Sequence, residues 1–448
     1  MSPLIDPRTG KIRRHLRHGG EAEVHAAVAG ARAAQPAWAA LTPSERSRRM
    51  LRLVELIEAH ADEYVRAEQA GTGKPLEDAR AEVETSADVL RFYAGALRAD
   101  LTPASGRCLP GRESWVRWEP VGLVGAIVPW NYPLVMAAWR LGPALAAGNT
   151  VVLKPAETTP DSALLLTEHA EEAFGVRILS VVPGDRITGQ SLVDSAVDMV
   201  AFTGSHVGGM DVTSRVGVRR ASLELGGNCP AIVLPDAPEY TYDALVRACT
   251  YNAGQSCAAP ARVITLRENY HETVERLADA MGARRAGRDF GPLNNADQAA
   301  RFDRIIQGSA AKVRHVGDLA VDGDEAGGFW RPGLVLADLL DDDPAVVEEV
   351  FGPVLTVQAV DTAAEAAGLA NSVPQALSAS VWSSNVSVLE FADALRCGEV
   401  WVNCHLEQTA ELPHSGRQES GQGTDLSVLA LAEYQRPKTV TVRFAAGA

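Results

Sequence analysis

The chain has no cysteine framework. Its 448 residues hold six cysteines, Cys108, Cys229, Cys249, Cys257, Cys397 and Cys404, with no Cys-x-x-Cys pair and no histidines at zinc-finger spacing. That excludes a zinc-finger type of site and argues against a disulfide scaffold, which belongs to small secreted domains. Long hydrophobic runs are missing too. The longest apolar region, Val121 to Val128, is broken by glycines and ended by Pro129, well short of the ~18 residues that a membrane-spanning helix needs. Positive charge is in deficit: 42 Lys and Arg face 57 Asp and Glu, a formal net charge of -15. This argues against nucleic acid or an anionic membrane as a partner. The opening residues carry no apolar signal-peptide core, so the expectation is a cytoplasmic protein. In that setting Asn385-Val386-Ser387 reads as a chance match to a glycosylation acceptor. Internal repeats and long low-complexity linkers are absent as well, which excludes a solenoid.

What remains is an ordinary globular composition, 46% hydrophobic and 22% charged, in a chain long enough for two or three domains. Residues 21 to 100 have helical periodicity, for example Met50, Leu51, Val54, Ile57 and Val65, with Ser44 as the expected N-cap after Thr42-Pro43. From Val121 short apolar strands alternate with helices, and a second such block starts near Ala231. Repeated βα units predict an α/β fold with a parallel sheet covered on both faces. The segments SWVRWEPVG and KTVTVRF alternate like exposed strands, and the terminal one suits pairing with another subunit. The acidic run Asp338 to Asp343 is expected to be a solvated loop.

Three residues carry recognisable chemistry. Cys257, in Asn252-Ala253-Gly254-Gln255-Ser256-Cys257, has small neighbours that leave room for a carbonyl to approach a thiolate. The other five cysteines read as small buried hydrophobes. Glu224, beside Gly226-Gly227, suits a general base that activates water, against the alternative of a surface carboxylate at a strand end. Asn131, in Pro129-Trp130-Asn131-Tyr132-Pro133, suits an oxyanion donor beside the Cys257 backbone N–H, against the alternative of a turn cap.

PWNYP, KPAE, FTGS, LELGGN, NAGQSC, EEVFGPV and SGQG…KTVTV occur in one order along nearly the whole chain. In these motifs it resembles the NAD(P)-dependent aldehyde dehydrogenase superfamily. The resemblance implies a Rossmann-like cofactor domain (1–104 and 122–226), an α/β catalytic domain (227–419) and a small β extension for oligomerisation (105–121 and 435–448). It also implies a homodimer or homotetramer. The family does without a G-x-G-x-x-G fingerprint, and none is present. The resemblance assigns the cofactor to Trp130, Lys154, Pro155, Ala156, Glu157, Thr203, Gly204, Ser205, Gly208, Leu225, Gly226, Glu349 and Phe351. A carboxylate at Glu157 would accept a ribose diol and repel a 2′-phosphate, which favours NAD over NADP.

The implied reaction is oxidation of an aldehyde to a carboxylic acid through a thiohemiacetal and a thioester on Cys257. Tyr132, Met136, Trp139, Ser256 and Ala258 would line the aldehyde tunnel. Tyr132 and Trp139 could stack on a ring, close on an alkyl chain, attract an ammonium, or simply serve the core. WNYPLVMAAWRLGPALAAGN and LPHSG look most like the aminoaldehyde and betaine-aldehyde branch, with Glu407, Glu411, His405 and His414 around the tunnel mouth. The alternatives are a non-catalytic protein on the same scaffold, a semialdehyde dehydrogenase, or a coenzyme-A-acylating relative, the last disfavoured by Glu224. Departures from the family pattern are Asn228 and Arg140, each where a lysine is usual, and trimmed stretches at 173–178 and 281–290. Asp425 matches either a second acidic residue of a proton relay or a helix N-terminal aspartate.

Overall fold

The structure is a computed structural model that describes residues 2–99, 106, 108–385 and 388–443. A hairpin of β1 (Ser2–Ile5) and β2 (Ile12–Leu16) precedes four helices, α1 (Glu21–Ala39), α2 (Pro43–Ala59), α3 (Ala61–Thr72) and α4 (Leu76–Ala96). The start of α2 differs from expectation. Thr42, not Ser44, is its N-cap, because Pro43 at the first helical position has no N–H to cap and Thr42 closes a capping box with Glu45.

After β3 (Arg112–Pro120), five strands form a parallel sheet: β4 (Leu123–Ile127), β5 (Thr150–Lys154), β6 (Leu179–Val181), β7 (Met199–Thr203) and β8 (Arg220–Glu224). Their spatial order is β6-β5-β4-β7-β8. Every residue of β4 and β5 is buried, as their unbroken apolar runs require when helices cover both faces. The crossovers are α5 (Pro133–Ala146), α6 (Asp161–Phe174), α7 (Arg186–Asp194) and α8 (His206–Val216). Helices α2 to α6 share one core with the sheet, and residues 426–434 return to it through Leu426, Ala430, Leu431 and Tyr434.

A seven-stranded sheet follows. It includes β9 (Cys229–Val233) and β10 (Pro260–Leu266), together with the strands Val354–Val360 and Ser378–Trp382. Only its edge strand Val313–Val316 runs antiparallel. Helices α9 (Thr241–Thr250), α10 (Tyr270–Gly282) and α11 (Ala296–Gly308) pack on this block. The acidic run is not simply solvated: Asp343 is buried, caps the turn Pro344–Val347 and accepts hydrogen bonds from Ser309 Oγ and Ala310 N. The strand Gln435–Arg443 pairs antiparallel with β3 along nine residues. Residues 444–448 of the expected terminal strand lie outside the described residues, as do Val386 and Ser387 of the glycosylation match.

One side chain ties three of these pieces together. Asn149 is fully buried; its Oδ1 accepts from Gly122 N at 2.8 Å, and its Nδ2 donates to Ala144 O (2.9 Å) and Tyr434 O (3.0 Å). Asn149→Ala would orphan these backbone groups. The expected loss is about 2–4 kcal/mol, to be checked by urea denaturation.

Candidate active site

The site forms where the two sheets meet. Strand β8 ends at Glu224, and Gly226-Gly227 lead directly into β9. A Cβ on Gly227 would lie 2.2 Å from the Cys257 carbonyl oxygen, and one on Gly226 would lie 2.1 Å from the Glu349 carboxylate. At Gly227 the neighbour is backbone, so only glycine fits; at Gly226 a side chain would have to displace the Glu349 carboxylate.

Beyond α9 the chain turns through three left-handed residues, Asn252 (φ 48°), Ala253 (φ 55°) and Gly254 (φ 71°). Two buried amides hold this strained turn. Gln255 donates to Asn252 O (2.9 Å) and Pro292 O (3.2 Å) and accepts from Asn294 N (2.8 Å). Asn252 donates to Asn131 O at 2.9 Å. Asn131 in turn donates through Nδ2 to Gln255 O at 3.0 Å, which commits one of its two amide hydrogens. Cys257 leaves the turn half-buried, and burial pushes its thiol well above the usual range.

Two cavities open on opposite sides of this group. One, about 950 Å³, is a tunnel; the other, about 650 Å³, is a cleft along the first sheet. Asn131, Met136 and Cys257 line both. Tyr132, Trp139 and Ser256 line the tunnel, with Tyr251 stacked 6.2 Å from Tyr132. Ala258 is not brought there: it is buried behind the loop with Cys229, Leu377 and Trp401. At the mouth, Glu84, Asp88, Asp243 and Glu407 outnumber Arg247. His405 lines the tunnel, but burial drives its pKa down to about 4, so it is a neutral ring at pH 7. His414 and Glu411 do not line it. His414 is buried against Glu399 (3.0 Å) and Trp139, and Glu411 bonds Thr409 on the surface.

The cleft gathers Trp130, Lys154, Ala156, Glu157, Thr203, Gly204, Ser205, Gly208, Leu225, Gly226, Glu349 and Phe351, and leaves out Pro155. Ser205 caps α8, its Oγ accepting from Gly208 N at 3.2 Å, so the N-terminus of that helix faces the cleft. Buried Lys154 lies 3.8 Å from Glu157. Glu349 accepts from Gly227 N at 2.9 Å, and burial pushes its carboxyl up to about 7. Four further residues, Asp211, Gln190, Arg186 and Arg215, have no motif to announce them. Asp211 on α8 is held by Gln190 (2.8 Å) and Arg186 (3.0 Å) from α7 and by Arg215 (2.9 Å), which bolts the two helices together along the cleft. Only the i,i+4 spacing of Asp211 and Arg215 was visible in sequence.

Glu224 is 3% exposed rather than a surface carboxylate. Burial raises its pKa well above the usual range; Asp425 adds to the rise and Arg140 opposes it. Asp425 is not a helix N-terminal residue: it is fully buried, bridged to His414 through the backbone, and lies 3.0 Å from Arg140 Nη1. Arg140 does more than alter packing. Its guanidinium reaches Thr203 Oγ1 (2.8 Å), Ser222 Oγ (3.1 Å) and Phe202 O (3.1 Å) and supplies the local positive charge.

A profile of the aldehyde dehydrogenase family matches residues 2–440. The chain is 33% identical to the betaine aldehyde dehydrogenase of Bacillus subtilis (strain 168), over 98% of this chain and 93% of that one. Among solved structures it is similar to the betaine aldehyde dehydrogenase of Staphylococcus aureus in complex with NAD+, with 28% identity, a TM-score of 0.95 and coverage of 100% and 92%. An indole-3-acetaldehyde dehydrogenase mutant of P. syringae, in complex with NAD+ and IAA, gives 31% identity, a TM-score of 0.92 and coverage of 99% and 93%.

Removing the buried cation is the sharpest test of this electrostatic arrangement. Arg140→Met leaves Asp425 buried without its counter-charge and should cost about 3–5 kcal/mol, whereas Arg140→Lys keeps the charge and should cost less. Chemical denaturation of the two variants beside the wild type checks both the loss and its order.

Proposed function

The chain belongs to the aldehyde dehydrogenase family, and on that premise we propose that it oxidises an aminoaldehyde to the carboxylic acid with NAD through covalent catalysis at Cys257. The observation that carries this reading is the position of Cys257 and Asn131 at the junction of the two cavities. An aldehyde in the tunnel and a dinucleotide in the cleft would both reach one sulfur.

The cleft fits NAD. The capped start of α8 suits a pyrophosphate, because free backbone N–H groups and the helix dipole favour anions. Glu157 and Glu349 suit the two ribose diols, with Lys154 beside the first. When bound, the nicotinamide supplies a hydride acceptor. The chain's own residues do the rest. Glu224 takes the thiol proton of Cys257, and the thiolate adds to the aldehyde carbon. The remaining Asn131 amide hydrogen and the Cys257 N–H hold the oxygen that becomes negative. Loss of hydride from that carbon leaves a thioester. Glu224 next releases the thiol's proton to solvent; as a carboxylate again it deprotonates a water that attacks the acyl carbon, and as the acid leaves the sulfur takes that proton back from Glu224 to re-form the thiol.

The aminoaldehyde class, for example 4-aminobutyraldehyde, rests on the four carboxylates at the mouth and on the aromatic walls of Tyr132, Trp139 and Tyr251. A cation gains from both. A semialdehyde would meet net repulsion there, with Arg247 as the one basic residue at the mouth.

NADH formation from 4-aminobutyraldehyde, betaine aldehyde, an aliphatic and an aromatic aldehyde tests the reading. Turnover is expected to favour the cationic pair and to vanish in Cys257→Ala; a flat profile would reject the aminoaldehyde assignment. Asp88→Asn with Asp243→Asn should raise KM for the cationic substrates about 3- to 10-fold and leave the neutral ones unchanged. NAD affinity, measured by calorimetry, should strengthen as pH rises through about 7, where Glu349 becomes a full acceptor. Glu349→Gln should flatten that dependence.

A further inference from the structure

Beneath the junction lies an ion pair that no step above uses. Lys74 and Glu82 are both buried, and their charged ends touch. Lys74 follows the left-handed cap Gly73 at the end of α3, and Glu82 faces it from α4. Neither lies in a motif that pointed to chemistry. A second carboxyl, Glu68, is buried beside them; burial and the charge of Glu82 push its pKa well above the usual range, against the pull of Lys74.

The pair is attached to the site at three points. Lys74 Nζ donates to the backbone oxygen of Asn131 at 3.2 Å. The same ammonium sits 4.7 Å over the ring of Tyr132. Glu82 Oε1 accepts from Val135 N at 3.3 Å, one of the unpaired amides in the first turn of α5. The peptide that follows Asn131, the next ring and the helix start are therefore all held from one buried centre. Asn252 supplies the second donor to Asn131 O, from the nucleophile turn.

We propose that Lys74, anchored by Glu82, is a positioning residue for the oxyanion amide of Asn131. The inference rests on the reading of Asn131 given above. Lys74 touches neither substrate nor sulfur in this account. It fixes the peptide from which the Asn131 side chain projects, so the amide is aimed before charge develops on the substrate oxygen. Preorganised donors are effective only while their support is rigid.

The alternative is a folding ion pair with no bearing on the chemistry, and two reactions of one thiol separate the two. Addition to an aldehyde develops an oxyanion. Alkylation of Cys257 by iodoacetamide displaces iodide at a saturated carbon and needs no oxyanion donor. Lys74→Met is expected to slow pre-steady-state NADH formation about 10- to 100-fold. KM for aldehyde and NAD, and the alkylation rate of Cys257, should stay within about 3-fold of wild type. Lys74→Met combined with Asn131→Ala should be no slower than Asn131→Ala alone, because the two changes remove one interaction.

Parallel loss of alkylation and hydride transfer would overturn the proposal, as would rate losses that multiply in the double variant. If Lys74→Met does not fold, Glu82→Gln keeps the cation and loosens its anchor, and the same selective loss is expected in milder form; an unselective one overturns the proposal. Wild-type protein that forms no NADH, or an Asn131→Ala variant as fast as wild type, would remove the underlying reading and this one with it. A slow Asn131→Ala beside an unimpaired Lys74→Met would overturn this one alone.

Discussion

Two α/β sheets approach each other here at a pair of glycines. Gly227 lets the Cys257 carbonyl come to a distance that any Cβ would forbid, and Gly226 leaves room for the Glu349 carboxylate. The rest of the site follows from that contact. It sets Glu224 at the end of one sheet opposite the nucleophile turn of the other. It also makes one wall, Asn131, Met136 and Cys257, common to both cavities. A wider joint would leave two separate pockets with no shared atom to react.

Such a close joint encloses charge. Glu224, Asp425 and Arg140 are all nearly inaccessible, and Lys74 with Glu82 forms a second buried set on the far side of Asn131. Burying an ion is costly unless a partner and hydrogen bonds compensate it. Arg140 meets this through a fork that reaches an aspartate, two hydroxyls and a carbonyl. A guanidinium stays charged at any working pH, so it can balance Asp425 but cannot pass a proton on. On the proposed mechanism, the proton that Glu224 receives must leave by groups that titrate.

Much of this was legible in the sequence. Unbroken apolar runs announced fully buried strands, and the small residues around Cys257 announced a tight turn with room beside it. Glu224, Asn131, Lys154, Glu157 and Glu349 stand in motifs that could be read in order. The contacts that cross the fold could not be read this way. Asp211 meets Arg186 from another helix, and Lys74 meets Asn131 across 57 positions. Ala258 shows the opposite failure. Adjacent to Cys257 in sequence and in the same turn before β10, it packs with Cys229, Leu377 and Trp401 instead of lining the tunnel. Proximity along a chain says little about the direction of a side chain in a turn.

The left-handed turn before Cys257 makes the enzyme's reactivity a property of assembly. Three successive residues hold a conformation that an isolated peptide would abandon, and they do so because Gln255 is clasped by Pro292 and Asn294 from a later segment of the chain. Before that segment arrives, the turn that presents Cys257 lacks this clasp. Afterwards Cys257 stands with Asn131 in the wall shared by two cavities. The geometry around Cys257 therefore comes only with the complete fold.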